Sequence, residues 1–516
     1  MARVTPRGLL RSSGVTGAVQ IVRVVSSLLL TPIILVAIGL EGFGVWALLF
    51  SICNSMHVMG VSFGNAYAKL TAEYDARGDY EGLSERIGSG LALVSVFAAL
   101  GLLIIVACRD PLLRWIAVPE ELLPSAATAL LTISITVFGM LSFGCVRQIL
   151  GGLQRTDLAE GTRMVTSLVY LGVGAWLLTA GYGLVGLAFA NLVAEAAGIA
   201  LGWYWCRKAC PLLVISPLLT TRRGVREIFA LGGRFQTLYV LNYVSNEGFK
   251  VMLSVLLGPR TVGVYELSRR LIRLCETGAS AIHRPMMPAL ANLHSMGEAQ
   301  RASLMHDRAS RAMYSVALLA IGFVAVFADD VLVLWTSSSQ PVSALTFRIL
   351  AAAYIFKQLS SMGTASLRAR GEFRLEAMTM VFSLVARFAL VFPLYYWQGY
   401  EGFVWSESIA HVATALVFLW PYSRREGFSL GRFMNAAALR PTLVLGPIVF
   451  AVYVLANSVE LPLAARGLRA QAFVELASWG LVYAGASGVA AWYGLVAPAE
   501  RERLLESLRR GASRDR

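Results

Sequence analysis

"VGVYELSRRLIRLCETGASAIHRPMMPAL", Val262 to Leu290, sets Glu266, Arg269, Arg270, Arg273, Glu276, His283 and Arg284 in an otherwise oily neighbourhood. Two readings compete. The segment is a soluble connection, or it is a membrane-crossing helix that carries four arginines. The rest of the chain separates them. Of 516 residues, 57% are hydrophobic and 15% charged, whereas a soluble domain carries about a quarter charged residues. A mean hydropathy of +0.64 over this length describes a chain solvated by lipid.

A membrane helix needs about 20 mostly apolar residues. Fourteen candidates are predicted, near 14–38, 43–66, 88–108, 122–146, 160–180, 184–205, 228–256, 262–290, 312–335, 342–366, 376–397, 402–420, 439–456 and 472–495. The first follows Arg3, Arg7 and Arg11. It is too long for a secretory leader and is read as a retained first helix. With the N-terminus in the cytoplasm, the cytoplasmic segments hold 30 of the 45 Lys and Arg residues. The outer segments hold 5, and 10 lie inside the spans. The opening segment lies between the basic groups at Arg226 and Arg301. If it did not cross, the 30-to-5 asymmetry would collapse for every later loop.

An internal repeat supports the same count. "GLEGFGVW" (Gly39–Trp46) resembles "GPRTVGVY" (Gly258–Tyr265), and "GLQR" (Gly152–Arg155) resembles "GEFR" (Gly371–Arg374), both at an offset of 219. "GLVGL" (Gly183–Leu187) resembles "GYEGF" (Gly399–Phe403) at 216. Six spans separate the copies, an even number, so both have the same orientation. The expected architecture is an all-α integral membrane protein of about fourteen transmembrane helices. Two parallel six-helix lobes, residues 1–222 and 223–422, surround a central cavity. Residues 423–516 add two helices and a basic cytoplasmic tail.

At the centre of a membrane helix an arginine costs at least about 2.5–3.5 kcal/mol, so it must face protein or water. On a helical wheel the charged residues of Val262–Leu290 share an arc of roughly 140°, opposite Leu267, Leu271, Leu274 and Ile282. Arg269 and Arg273 lie one turn apart with no acid between them, which suits a wet, anion-facing wall. The alternative is internal pairing, Glu266 with Arg270 and Arg273 with Glu276. Arg284 is near enough to the cytoplasm to snorkel. The preceding span adds Arg234, Glu247 and Lys250, and the first span adds Arg23. The candidate anion-binding set is therefore Arg23, Arg234, Lys250, Arg269, Arg270 and Arg273. Glu247 and Glu407 are the candidates for ion coupling, with a proton or sodium ion as the coupling species. His411, at i+4 from Glu407, reads as a packed histidine.

No phosphate-binding glycine loop, metal-spaced His/Cys cluster or nucleophile–base pair stands out, so neither a cofactor nor an enzymatic activity is expected. The basic residues track the membrane sides, which argues against nucleic acid. The six cysteines are scattered in apolar runs and read as small core residues.

With its fourteen expected spans and duplicated lobes, the chain resembles the polysaccharide transporter branch of the MOP superfamily, which includes the Wzx-type flippases. The "GLEGFGVWAL" entry to the second span and "AYAKLTAEYDARGDYEGL" after it carry the likeness. The resemblance covers essentially the whole chain. It implies transfer of an undecaprenyl-pyrophosphate-linked oligosaccharide from the cytoplasmic to the periplasmic leaflet of the bacterial inner membrane. It also implies alternating access and a basic central cavity. The implied partners are the lipid-linked anionic glycan, membrane lipids and a polysaccharide polymerase machinery. Two relatives compete. MurJ-type lipid II flippases carry an Arg-Asp pair in the first span, where this chain reads "VQIVRVVSSLLLTP" with one Arg and no acid. MATE exporters carry cations and use buried acids, which this basic interior does not suit. A membrane-embedded polymerase or transferase would need a sizeable outer loop or a cytoplasmic domain.

Overall fold

The computed structural model describes residues 6–458, 467–495 and 501–502. Some side chains within these helices, Arg234 and Arg284 among them, lie outside the described part. So do Arg3, Arg466 and the basic tail beyond residue 502. Among the described residues the regular structure is helical throughout.

Helix α1 (Pro6–Arg77) is two arms joined at Gly39, whose φ of 68° no continuing helix adopts. Then follow α2 (Tyr80–Ala107), α3 (Arg109–Trp115), α4 (Leu123–Phe143), α5 (Cys145–Gly152), α6 (Thr156–Thr179) and α7 (Gly183–Ala209). Next come α8 (Arg222–Tyr243), a wide π turn at Val244–Gly248, α9 (Phe249–Leu257) and the 37-residue α10 (Pro259–Ser295). The later helices are α11 (Ala299–Val326), α12 (Ala328–Thr336), α13 (Pro341–Ala369), α14 (Arg374–Gln398) and α15 (Tyr400–Glu426). The last are α16 (Leu430–Met434), α17 (Arg440–Ser458) and α18 (Leu468–Gly494).

Helices occupy all fourteen expected stretches, and the opening segment is one continuous helix rather than a loop. Among the described residues, ten stretches are both long and apolar enough to cross a membrane. One of these, Gly17–Val58, runs across the Gly39 break. The helices at 156–179, 222–257 and 259–295 are long but too polar for that measure. Their crossing rests on the pattern of basic residues. The chain is a multi-pass membrane protein, and its surface agrees. Val36, Trp176, Tyr396, Trp397 and Leu481 are exposed, as a lipid-facing wall requires. The aromatic ones cluster near helix ends, where amphipathic rings anchor to the membrane–water interface.

The chain divides into two compact units, residues 1–266 and 267–516. Packing sets this boundary. Helix α8 lies against α1 and α2, with Arg86 Nε on Glu227 Oε2 at 3.3 Å. The start of α10 also belongs to the first unit. A Cβ on Gly44 would sit 1.9 Å from the carbonyl oxygen of Pro259, and one on Gly263 would sit 2.2 Å from that of Leu40. These pairs are the repeat equivalents of each other, since 44 + 219 = 263 and 40 + 219 = 259. The two copies of the glycine motif therefore meet reciprocally, backbone against backbone. The repeat also shows in the turns: Gly39 and Gly258 both have positive φ, as do Gly183 and Gly399.

In the first unit α6 packs on α7 and on α1, and α4 on α7. In the second, α13, α14 and α15 pack together. The added pair α17–α18 is seated on α11 and α12 by Phe323, Phe327, Val452 and Tyr483. The Tyr483 hydroxyl donates to the Leu319 carbonyl at 2.9 Å.

Candidate functional site

Among the described residues, three groups of ionisable side chains bear on the candidate site. The first lies in the second unit and contains Arg269. Its guanidinium sits over the Tyr354 ring, 4.9 Å from the centroid, and 3.4 Å from Glu407 Oε1. Glu407 of α15 is fully buried. Arg387 of α14, 1% exposed, reaches the same oxygen at 3.8 Å. His411 Nε2 is 3.4 Å from that oxygen and 3.1 Å from Arg387 Nη2. The Tyr354 hydroxyl donates to it at 3.2 Å. Lys357 Nζ lies over the same Tyr354 ring at 4.8 Å and pairs with Glu276 at 3.4 Å. Gln358 also donates to Glu276, at 3.3 Å. Three full cations here, Arg269, Lys357 and Arg387, meet two carboxylates, Glu276 and Glu407. A desolvated carboxylate is tolerable only with such partners.

This geometry refines the wheel. Arg269 and Arg273 share a helix face, but Arg269 is largely buried and Arg273 is exposed. The acid beside Arg269 is supplied by a distant helix. Arg270 is half-buried. Glu276, which the alternative reading paired with Arg273, contacts Lys357 and Gln358 of α13. His411 is packed as expected, but into a polar network.

The second place is in the first unit. Lys250 of α9 lies 2.5 Å from Glu247 and 3.5 Å from Glu266. Ser51 donates to Glu247 at 2.5 Å, and Tyr243 donates to the Ser51 carbonyl at 2.6 Å. Glu247 lies in the π turn, a distortion frequent at functional sites. Lys250 thus bridges two acids here.

The third place is a cavity of about 690 Å³ within the first unit. Arg23, Arg147 and Arg163 line it, together with the amides of Asn65, Gln148 and Asn191. Arg147 of α5, with its side chain 12% exposed, is aimed by Glu195 at 2.9 Å and by Thr166 at 3.0 Å. Arg163 pairs with Glu160 at 2.6 Å on its own helix. Of the candidate anion-binding side chains that are described, Arg23 alone lies here. Sequence reasoning assigned Arg147 and Arg163 to a cytoplasmic loop, because basic residues near a span end look like topology markers. The Glu195 inside the next span was the available signal that a buried cation must face it.

The model of the family described as polysaccharide biosynthesis protein matches residues 9–294, more than half of the chain. The chain belongs to the polysaccharide biosynthesis protein family. A Shigella flexneri protein bearing the name of an O-antigen transporter is 20% identical to this family member over 394 residues. The match covers 75% of this chain and 91% of that protein. Among solved structures, the lipid II flippase MurJ in an inward closed conformation superimposes with a TM-score of 0.71 at 12% identity. It covers 92% of this chain and 98% of its own. An inward-facing multidrug resistance MATE family transporter of the MOP superfamily gives 0.69 at 16% identity. It covers 78% of this chain and 94% of its own. The fold is therefore MATE-like and is shared with MurJ. The named relatives are transporters and flippases, not catalysts.

Proposed function

We propose that this family member is a flippase for a polyprenyl-pyrophosphate-linked oligosaccharide, moving it from the cytoplasmic to the outer leaflet by alternating access. The observation that carries this reading is the first unit's cavity. Arg147 is paired with Glu195 and Arg163 with Glu160, so the three arginines leave the wall net positive by the charge of Arg23, which favours an anion. Guanidinium forks suit phosphate through paired hydrogen bonds. The amides of Asn65, Gln148 and Asn191 offer both donors and acceptors, as sugar hydroxyls need. Arg23 and Arg163 are assigned to the anionic part of the substrate. Arg147, held by Glu195, orients the wall.

Arg273, exposed on α10, is assigned with Arg269 and Arg270 to a second basic stretch of the same helix, and Arg234 is retained as a candidate of the first unit. Lys250 is shared between two carboxylates, so its role is to poise Glu247 and Glu266. Glu247 and Glu407 are the ion-coupling candidates, the first in contact with Lys250 and the second with Arg269 and Arg387.

The test is glycan export in cells lacking the native transporter. Arg23→Ala, Arg163→Ala and Arg269→Ala should each cut export at least tenfold at normal expression. Lipid-linked oligosaccharide should then accumulate in the cytoplasmic leaflet. Lysine substitutions should restore export only partly. In the same assay Glu247→Gln and Glu407→Gln should change its pH dependence. Normal export by the Arg23/Arg163 double alanine variant would refute the cavity's role, and unchanged pH profiles would refute the coupling role.

A further inference from the structure

We propose that a groove between α10 and α11 is a binding site for an anionic phospholipid, separate from the path assigned to the transported substrate. The groove holds about 470 Å³ and is lined by Ile282, Met286, Arg301, Leu304, Met305, Arg308, Ala309 and Ala312. That volume is within the range of small-molecule sites, about 300–1,000 Å³. Its two walls are built differently. Ile282 and Met286, one turn apart on α10, pack against a core of Ala309, Met313, Met362 and Ala365. The α11 wall is a helical stripe of Arg301, Leu304 and Met305, Arg308, and Ala312, spaced three to four residues apart.

The chemistry of the lining specifies the occupant. Six of the eight lining residues are apolar, and Leu304 is 54% exposed. A soluble anion would leave that surface wet. The remaining two are arginines, both exposed, two turns or about 10 Å apart along the helix axis. A neutral hydrocarbon would make no use of them. An amphiphile with an anionic head and an acyl chain satisfies both. Glu298 touches Arg301 through Nη1 at 2.8 Å. A guanidinium has five donors in a fixed fork, so that contact does not saturate it. Asp307, the chain neighbour of Arg308, is engaged by His306 at 3.1 Å. The basic-residue asymmetry puts this end of α11 on the cytoplasmic side. Basic pockets between membrane helices on that side bind anionic lipid headgroups. The lipid would brace the lower half of α10, the helix that carries Arg269 and Arg273.

The test is thermal unfolding of the purified full chain in a neutral detergent. Phosphatidylglycerol or phosphatidylcholine with identical acyl chains is titrated in. Phosphatidylglycerol should raise the midpoint and phosphatidylcholine should not. The Arg301→Gln/Arg308→Gln variant should bind phosphatidylglycerol roughly thirtyfold more weakly, from about 1 kcal/mol of attraction per basic residue at a charged surface. Ala312→Phe, which fills the groove and keeps both charges, should weaken binding as much. Arg222→Gln/Arg223→Gln, basic but outside the groove, should bind as the parent does. Equal stabilisation by phosphatidylcholine or by inorganic phosphate would overturn the proposal. So would undiminished phosphatidylglycerol binding in both groove variants, or stabilisation by a polyprenyl phosphate alone. These readouts do not depend on which substrate is transported.

Discussion

Arg387 heads the largest fully buried side chains of the described structure. It shares Glu407 with Arg269, His411 and Tyr354, yet the two arginines should behave differently when removed. Arg387→Ala leaves a fully buried carboxylate short of its deepest cation. Breaking such a pair by removing one partner costs about 3–5 kcal/mol. Arg269→Ala leaves Glu407 with Arg387 and His411 still in place, so the loss of stability should be under half as large. Thermal unfolding of the two variants, alongside export, separates them. Arg387→Ala should be poorly folded, and Arg269→Ala folded but inactive. Equal destabilisation would assign Arg269 to the structure alone. The pairing shows what was legible in the sequence at this scale. The charged face of Val262–Leu290 followed from helical period, which is local. Glu407 was singled out for ion coupling, but its contact with Arg269 did not follow, because residues far apart in the chain meet only through the packing of α10, α13 and α15. Arg147 was missed for the same reason, its partner Glu195 being on another helix.

At the scale of elements, glycines divide the chain where the sequence says they should. A repeated Gly at a run boundary is readable, since only glycine takes positive φ without strain. Gly39 and Gly258 do so. The sequence does not say that the two motif copies touch. That follows from Gly44 and Gly263, whose missing side chains let the backbones of α1 and α10 meet. Alanine at either position would force a methyl into a carbonyl oxygen. Gly44→Ala and Gly263→Ala are each expected to lower the unfolding midpoint sharply and to reduce membrane-inserted protein. Gly139→Ala, with nothing within 4 Å, should leave both near normal. Equal yields for all three would show that the backbone contact is dispensable. The long, amphipathic α10 was legible from its periodicity. The division between units inside it was not, because a helix gives no local sign of which neighbours it joins.

For the whole molecule, the run lengths and the 30-to-5 distribution of basic residues are what predict crossing number and sidedness. Cysteines placed beside Pro259 and Gly399 should react with an impermeant reagent added outside, and those at Arg223 and Arg425 only after permeabilisation. Outside labelling at Arg425 would break the topology. The fold was legible because hydrophobic length and charge asymmetry act through the lipid, a uniform solvent that every segment meets separately. The substrate was less legible, since arginine-lined walls specify a negative charge and not the sugar that accompanies it. The most direct measurement is therefore leaflet exchange in proteoliposomes containing the purified protein. A fluorescent polyprenyl-pyrophosphate oligosaccharide and lipid II are followed separately by loss of accessibility to an external quencher. The account predicts protein-dependent exchange of the oligosaccharide lipid that Arg23→Ala/Arg163→Ala abolishes, and little exchange of lipid II. Exchange of lipid II alone, or of neither lipid by a folded protein, would contradict it.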